Sequence, residues 1–206
     1  MTLSFINQRL SFWHMAGLLV LVALVFSKTL FFEFVWDDVV LLVGNEAYQS
    51  PSFKQWLLTS LNGAEYLPLR DLTYIADYLI WGWNPLGFHL SNFILYILNI
   101  WAVYRLTFML GSTILPIRNV EKTTETLWVA FVTAALFSVI PLHSEVVSFI
   151  HCRNVLLSGF FFFLSCIYFL KFIASSRWRF VLIAFALFAC ALLSKATVII
   201  LPLILM

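Results

Sequence analysis

A chain of 206 residues that is 63% hydrophobic and only 11% charged lies outside the class of ordinary soluble domains, where roughly a quarter of residues carry charge. Its mean hydropathy of +0.98 exceeds what a core of this size can hide, so lipid must solvate much of the chain. The formal net charge of +2 gives no reason to expect nucleic acid as a partner.

The charges fall in clumps. Windows 10–27, 78–104, 126–144, 154–170 and 180–194 contain no Asp, Glu, Lys or Arg. With their flanks these windows supply membrane spans near 12–34, 87–108, 126–142, 155–172 and 180–195. Backbone groups in lipid must be satisfied within their own segment, so an all-α, polytopic transmembrane helix bundle is expected, and the alternation of a membrane barrel is absent. The first window is too long for a signal peptide's apolar region and lacks a small-x-small cleavage site, so it reads as a retained span.

Basic residues favour cytoplasmic loops, which places the N-terminus in the cytoplasm. Arg9, Arg105, Arg118, Lys122, Lys171, Arg177 and Arg179 then lie inside, against Lys28, Lys54, Arg70, Arg153 and Lys195 outside. Of the acids, Glu121 and Glu125 lie inside. Glu33, Asp37, Asp38, Glu46, Glu65, Asp71, Asp77 and Glu145 lie outside, so the outer face is where the chemistry is expected.

Between the first two spans runs an apolar outer loop, 36–86. Ser50-Pro51 before Phe53, Trp56, Leu57 and Leu61, with Asn62-Gly63 after them, reads as a capped helix with one apolar face. Pro68 opens a second helix with Leu69, Leu72, Ile75, Ala76 and Leu79 on one side and Gly82 near its end. Bounded by Trp and Tyr, both are expected in the interface plane as a lid on the outer leaflet.

Asp37-Asp38 closes the first span. Adjacent carboxylates there suit a general base or ligands for a divalent metal, Mg or Mn; a solvated helix end is the plainer alternative. A second outer element, Pro141-Leu142-His143-Ser144-Glu145 followed by His151 and Arg153, joins spans three and four. Its histidines and Glu145 match no standard zinc spacing, and a salt-bridged cap is the alternative to a functional site. Lys195 lies 16 residues beyond Arg179, about 24 Å along a helix, at the outer boundary, where it can snorkel or hold an anionic head group. Asp37, Asp38, Arg70, His143, Arg153 and Lys195 would then share one plane. Cys152, Cys166 and Cys190 read as small core residues, and there is no Asn-x-Ser/Thr acceptor, Gly-rich phosphate loop or internal repeat. The eleven apolar residues after Lys195 reach about 16 Å, an incomplete sixth span, which reads as the N-terminal portion of a longer membrane domain.

Several stretches resemble one family. They are Phe34-Val35-Trp36-Asp37-Asp38, Tyr66-Leu67-Pro68-Leu69-Arg70 through Leu72-Thr73, and Asn84-Pro85-Leu86-Gly87-Phe88-His89-Leu90-Ser91-Asn92. Phe137 to Glu145, Arg153 with its Leu-rich helix, and Leu192-Leu193-Ser194-Lys195 extend the likeness over most of 30–200. The pattern is similar to the GT-C superfamily of polytopic glycosyltransferases, in particular the protein O-mannosyltransferase-like branch, whose members often carry tetratricopeptide repeats after the membrane domain.

The resemblance implies transfer of a sugar from a polyprenyl-phosphate donor to a protein or glycan acceptor hydroxyl at the outer (periplasmic or luminal) face, by a single inverting displacement. By carry-over, Asp37 or Asp38 is the base or acceptor-positioning group, with or without a divalent metal. Arg70, His143, Arg153 and Lys195 bind the donor phosphate, and Tyr66, His89, Asn92 and Glu145 support the site. Three positions depart from the family: Leu67 replaces an Arg, and Ile140 and Tyr96 each replace a His. The alternative is a non-catalytic relative serving as a membrane subunit packed on another membrane protein. A transporter or channel fits less well, because the charges sit at the rim and not at mid-depth. The compact loops favour a bacterial inner membrane over the endoplasmic reticulum.

Overall fold

A computed structural model describes residues 2–49, 52–61, 65–114 and 120–204. Among them the regular structure is helical throughout. Five helices run long: α1 (Thr2–Phe26), α4 (Pro85–Ile114), α5 (Val120–Val139), α7 (Arg153–Ser175) and α8 (Arg179–Ser194). Between them lie the short α2 (Phe53–Leu58), α3 (Pro68–Trp81) and α6 (His143–Ser148), with α9 (Leu201–Ile204) last. Three stretches are long and apolar enough to cross a bilayer, Gln8–Phe31, Pro85–Thr113 and Ile150–Ser175. The five expected spans thus map onto five helices, but α8 has 16 residues and α5 begins several residues earlier than the charge-free window, with Lys122 and Glu125 in its first turns.

The long helices pack in the order α1, α5, α4, α7, α8. Side chains of opposite bulk make the seams. Leu18, Val22, Tyr96, Ile100, Leu127, Ala130 and Ala134 form the core between α1, α4 and α5. Where α4 meets α7, Asn99 Nδ2 donates to the Leu156 carbonyl at 2.9 Å. A Cβ on Gly159 would come within 2.9 Å of Asn99 Oδ1, so this seam depends on a glycine. A second core, of Leu42, Tyr48, Leu61, Tyr74, Ile75, Phe88 and Ile150, lies under the outer loop. It ties that loop to α4 and to the entry of α7.

The outer loop is more ordered than two amphipathic helices. A π-helical turn (Asp38–Val43) and a 3₁₀ turn (Glu46–Tyr48) precede α2. Ser52 caps α2 through Oγ, which accepts from Gln55 N at 3.1 Å. The Ser50-Pro51 and Asn62-Gly63 signals lie outside the described residues, as does Arg118; of Glu121 only the backbone is described. For α3 the expected limits hold: Pro68 occupies the first turn, and Gly82 ends the helix with φ +60°, ψ −148°, a conformation open to glycine almost alone.

Its expected apolar face is present except at Ile75, and it is the side turned away from the protein. Arg70, Asp71, Tyr74, Ile75 and Asp77 are buried, whereas Leu79 and Ile80 are 74% and 69% exposed and Leu72 and Ala76 are also exposed. Thus α3 turns its charges inward, where they find partners, and most of its aliphatic side chains outward. After Lys195 the chain continues as a 3₁₀ turn (Ala196–Ile200) and α9, with Leu201 buried, in place of a straight incomplete span.

Candidate functional site

Beyond α1 a 3₁₀ turn (Ser27–Phe31) leads into an extended run and then a sharp bend at Trp36, which has φ +49°. A bulky residue in the left-handed region costs about 1–3 kcal/mol and persists only where its surroundings fix it. The fixing contacts are next to it. Asp38 N donates to the Val35 carbonyl at 2.9 Å, and Asp38 Oδ1 accepts from His151 N at 2.7 Å. The bend separates the paired acids. Asp37 is exposed, whereas Asp38 has no exposure at all. Burial holds the Asp38 carboxyl above the usual carboxylate range, against the opposing effect of the N–H groups of His151, Val35 and Ile150.

The partner corner, 149–153, is fastened from two other helices. Asn92 Nδ2 donates to the Phe149 carbonyl at 3.1 Å, and the Tyr74 hydroxyl donates to the Ile150 carbonyl at 2.8 Å. Arg153 then locks the start of α7. Its Nε donates to Asn92 Oδ1 at 2.7 Å, Nη2 to the Phe88 carbonyl at 2.8 Å and Nη1 to Thr73 Oγ1 at 3.3 Å. Nη1 also lies 2.5 Å from Asp77 Oδ2, and the guanidinium sits 4.7 Å from the centre of the Tyr74 ring. Ser91 Oγ donates to Asp77 Oδ1 at 2.6 Å. One buried cation therefore joins α3, α4 and α7.

In front of this corner opens a cavity of about 340 Å³, lined by Trp36, Asp37, Glu145, Phe149, His151 and Cys152. Lys195, half-buried at the end of α8, lies close enough that its charge acts on the Cys152 thiol, as do those of Glu145, Asp38 and Asp37. The structure thus brings Asp37 and Glu145 of the expected set onto one cavity wall, with Asp38 immediately behind and Lys195 outside the lining.

The other expected residues lie elsewhere. Arg70 is fully buried and pairs with Asp71 through Nε at 2.9 Å and Nη2 at 2.8 Å, with Glu65 at 3.6 Å. The Tyr48 hydroxyl donates to the same Asp71 oxygen at 2.9 Å. His143 Nδ1 stands 3.0 Å from the Tyr96 hydroxyl, which donates to the Ser138 carbonyl at 2.9 Å, and burial lowers the His143 pKa. Tyr96 thus anchors the turn after α5. His89 is buried beside Phe32, and Tyr66 is exposed with its hydroxyl donating to the Leu57 carbonyl at 2.6 Å. Of the other two departures, Ile140 is exposed, and Leu67 is buried with its carbonyl accepting from Asp71 N at 3.0 Å.

For a divalent metal the residues do not fit as placed. Asp38 is buried with its oxygens turned to backbone N–H groups. Among the described residues no three of His, Cys, Asp and Glu stand close enough to hold an ion. The cavity walls that the sequence did not single out as donor-binding are His151, Trp36, Phe149 and Cys152. The one available signal was His151 grouped with His143 and Glu145 as metal ligands, and that grouping matches no standard zinc spacing.

Together these features define a helical integral membrane protein with a cavity beside the 36–86 loop, where Asp37, Glu145 and His151 stand among largely apolar walls. The chain is similar to proteins named protein O-mannosyl-transferase. It is 27% identical to Tmtc1 of Drosophila melanogaster over 200 residues, 90% of this chain and 21% of that protein. It is 29% identical to human TMTC1 over 153 residues, 69% of this chain and 16% of that protein, and 29% identical to Drosophila Tmtc3 over 119 residues. The chain therefore spans about a fifth of the length of the curated relatives it matches. No protein-family model matches it, and no solved structure does. These relatives come from fly, human and mouse, so the expectation of a bacterial inner membrane gains no support.

Proposed function

We propose that this chain forms part of a membrane glycosyltransferase of the GT-C kind, which moves a mannosyl group from a polyprenyl-phosphate donor to a hydroxyl of a protein acceptor at the outer face. The observation that carries the reading is the cavity with Asp37 on its wall and Asp38 locked behind it. The names of the relatives supply the sugar and the protein acceptor.

In the proposed step the acceptor oxygen attacks the anomeric carbon. A new C–O bond forms as the bond to the phosphate oxygen breaks, and the electron pair leaves with the phosphate. Asp37, exposed on the cavity wall, takes the hydroxyl proton. Asp38 positions the loop that carries Asp37. Lys195 places positive charge near the leaving group, whereas Arg70, Arg153 and His143 act from behind by fixing α3, α4 and the turn after α5. The Trp36 bend supports this division of the acids, because strain of that kind collects at functional sites.

The test is sugar transfer from a radiolabelled mannosyl-phosphoryl-polyprenol to an acceptor peptide, with the chain in its full-length protein. Asp37→Asn should lower the rate by at least about 100-fold at unchanged expression. Full activity in Asp37→Asn would overturn the reading. The second reading, a non-catalytic subunit, draws on the outward aliphatic side chains of α3; it predicts no transfer by the parent protein and co-purification with one membrane partner.

A further inference from the structure

A cavity walled by Asp37 and Glu145 repels an anionic donor unless a cation or hydrogen-bond donor stands on the same wall. Three of the four side chains suited to that job by sequence are committed elsewhere. Arg153 has Asn92, Phe88, Thr73 and Asp77 as partners; Arg70 has Asp71; and His143 faces Tyr96. His151 is the histidine that lines the cavity. It is also the best-anchored residue there, since its own N–H is bonded to Asp38 and the preceding carbonyls, of Phe149 and Ile150, are held by Asn92 and Tyr74. A donor on such a corner cannot drift from its ligand, which is the requirement for a preorganised contact.

We propose that His151 is the donor-phosphate contact of this cavity, hydrogen-bonding through its imidazole to a phosphate oxygen, with Lys195 contributing charge from the end of α8. This rests on the transferase reading. As the sugar leaves, the phosphate gains one negative charge, so a donor at that oxygen strengthens in the transition state. No bond to His151 forms, and the proton of the acceptor goes to Asp37. The same chemistry would hold a phosphate borne by a polyprenyl chain or a free one.

The experiment is binding of polyprenyl monophosphate to the full-length protein in nanodiscs, with inorganic phosphate as competitor, for the parent, His151→Ala, His151→Gln and His151→Lys. Loss of a charge-assisted hydrogen bond should weaken polyprenyl monophosphate about tenfold or more in His151→Ala. His151→Lys, which puts another N–H donor on the same corner, should return to within about threefold of the parent, and His151→Gln should fall between. If inorganic phosphate displaces the lipid in the parent but not in His151→Ala, the free anion suffices; if it displaces neither while the Ala loss holds, the lipid-borne phosphate is the ligand. Either supports the assignment. His151→Ala affinity within about twofold of the parent overturns it, and does so without touching the base assignment if Asp37→Asn still abolishes transfer. A parent protein that binds no polyprenyl monophosphate overturns both.

Discussion

Arg153 is the residue whose removal should cost this fold most. It has no solvent exposure, and its guanidinium meets Asn92, Phe88, Thr73 and Asp77 from two other helices. Arg153→Ala leaves the Asp77 carboxylate with Ser91 as its remaining hydrogen-bond partner, 2.6 Å away. Breaking one side of a buried ion pair costs about 3–5 kcal/mol, a large share of a typical stability of about 5–15 kcal/mol. For a chain of this size that is a fall in Tm of roughly 6–20 °C. Arg153→Lys should recover only part, because a single ammonium reaches Asp77 but cannot serve Asn92 and the Phe88 carbonyl as well. The double variant Arg153→Met with Asp77→Leu should be clearly more stable than Arg153→Ala, since it removes the stranded charge along with its partner. Far-UV circular dichroism melts in detergent, with size-exclusion profiles before and after heating, measure this. An Arg153→Ala protein melting within about 2 °C of the parent, or a double variant no better than the single, would refute the latch.

The remaining expectations concern the acids and the end of α3. Burial raises the Asp38 pKa, so its folded form holds its proton more tightly than the unfolded chain does. The stability linked to that proton is present at low pH and is lost as pH rises past the usual carboxylate range. Asp38→Asn keeps an acceptor for His151 N and has no such loss, so its Tm relative to the parent should climb as the pH rises above about 4. A pH-independent difference would contradict this. Gly82→Ala should cost about 1–3 kcal/mol through backbone strain alone, because a Cβ there meets nothing within 4 Å. An unchanged melt would show that α3 ends in another conformation.

Much of this architecture is legible in the residues, because its signals are local. The limits of α3 follow from Pro68 and Gly82, which act through their own φ. The charge-free windows find the long helices for the same reason, as each must satisfy its backbone within itself. What could not be read is which way a face turns. Leu69, Leu72, Ile75, Ala76 and Leu79 read as one side of α3, yet Ile75 is buried while Leu72, Ala76 and Leu79 face out, and Arg70, Asp71 and Asp77 face in. Nor can sequence tell a ligand-binding arginine from a latch, when the partners of Arg153 lie 61 to 80 residues away. The paired acids show a third limit. Successive residues of a helical turn point about 100° apart, so of Asp37 and Asp38 one was bound to face away from the other's surroundings. Which one depends on the bend at Trp36 and on His151, and neither carries a local signal.

The division of labour between those two acids is the central claim, and the rate of mannosyl transfer decides it. Asp37→Asn and Asp38→Asn, compared at equal amounts of folded full-length protein, should separate widely. Asp37→Asn should lose at least about 100-fold, and Asp38→Asn, which preserves the bond from His151 N, should lose no more than about tenfold. Equal losses would contradict the split, and an active Asp37→Asn would show that the base lies elsewhere.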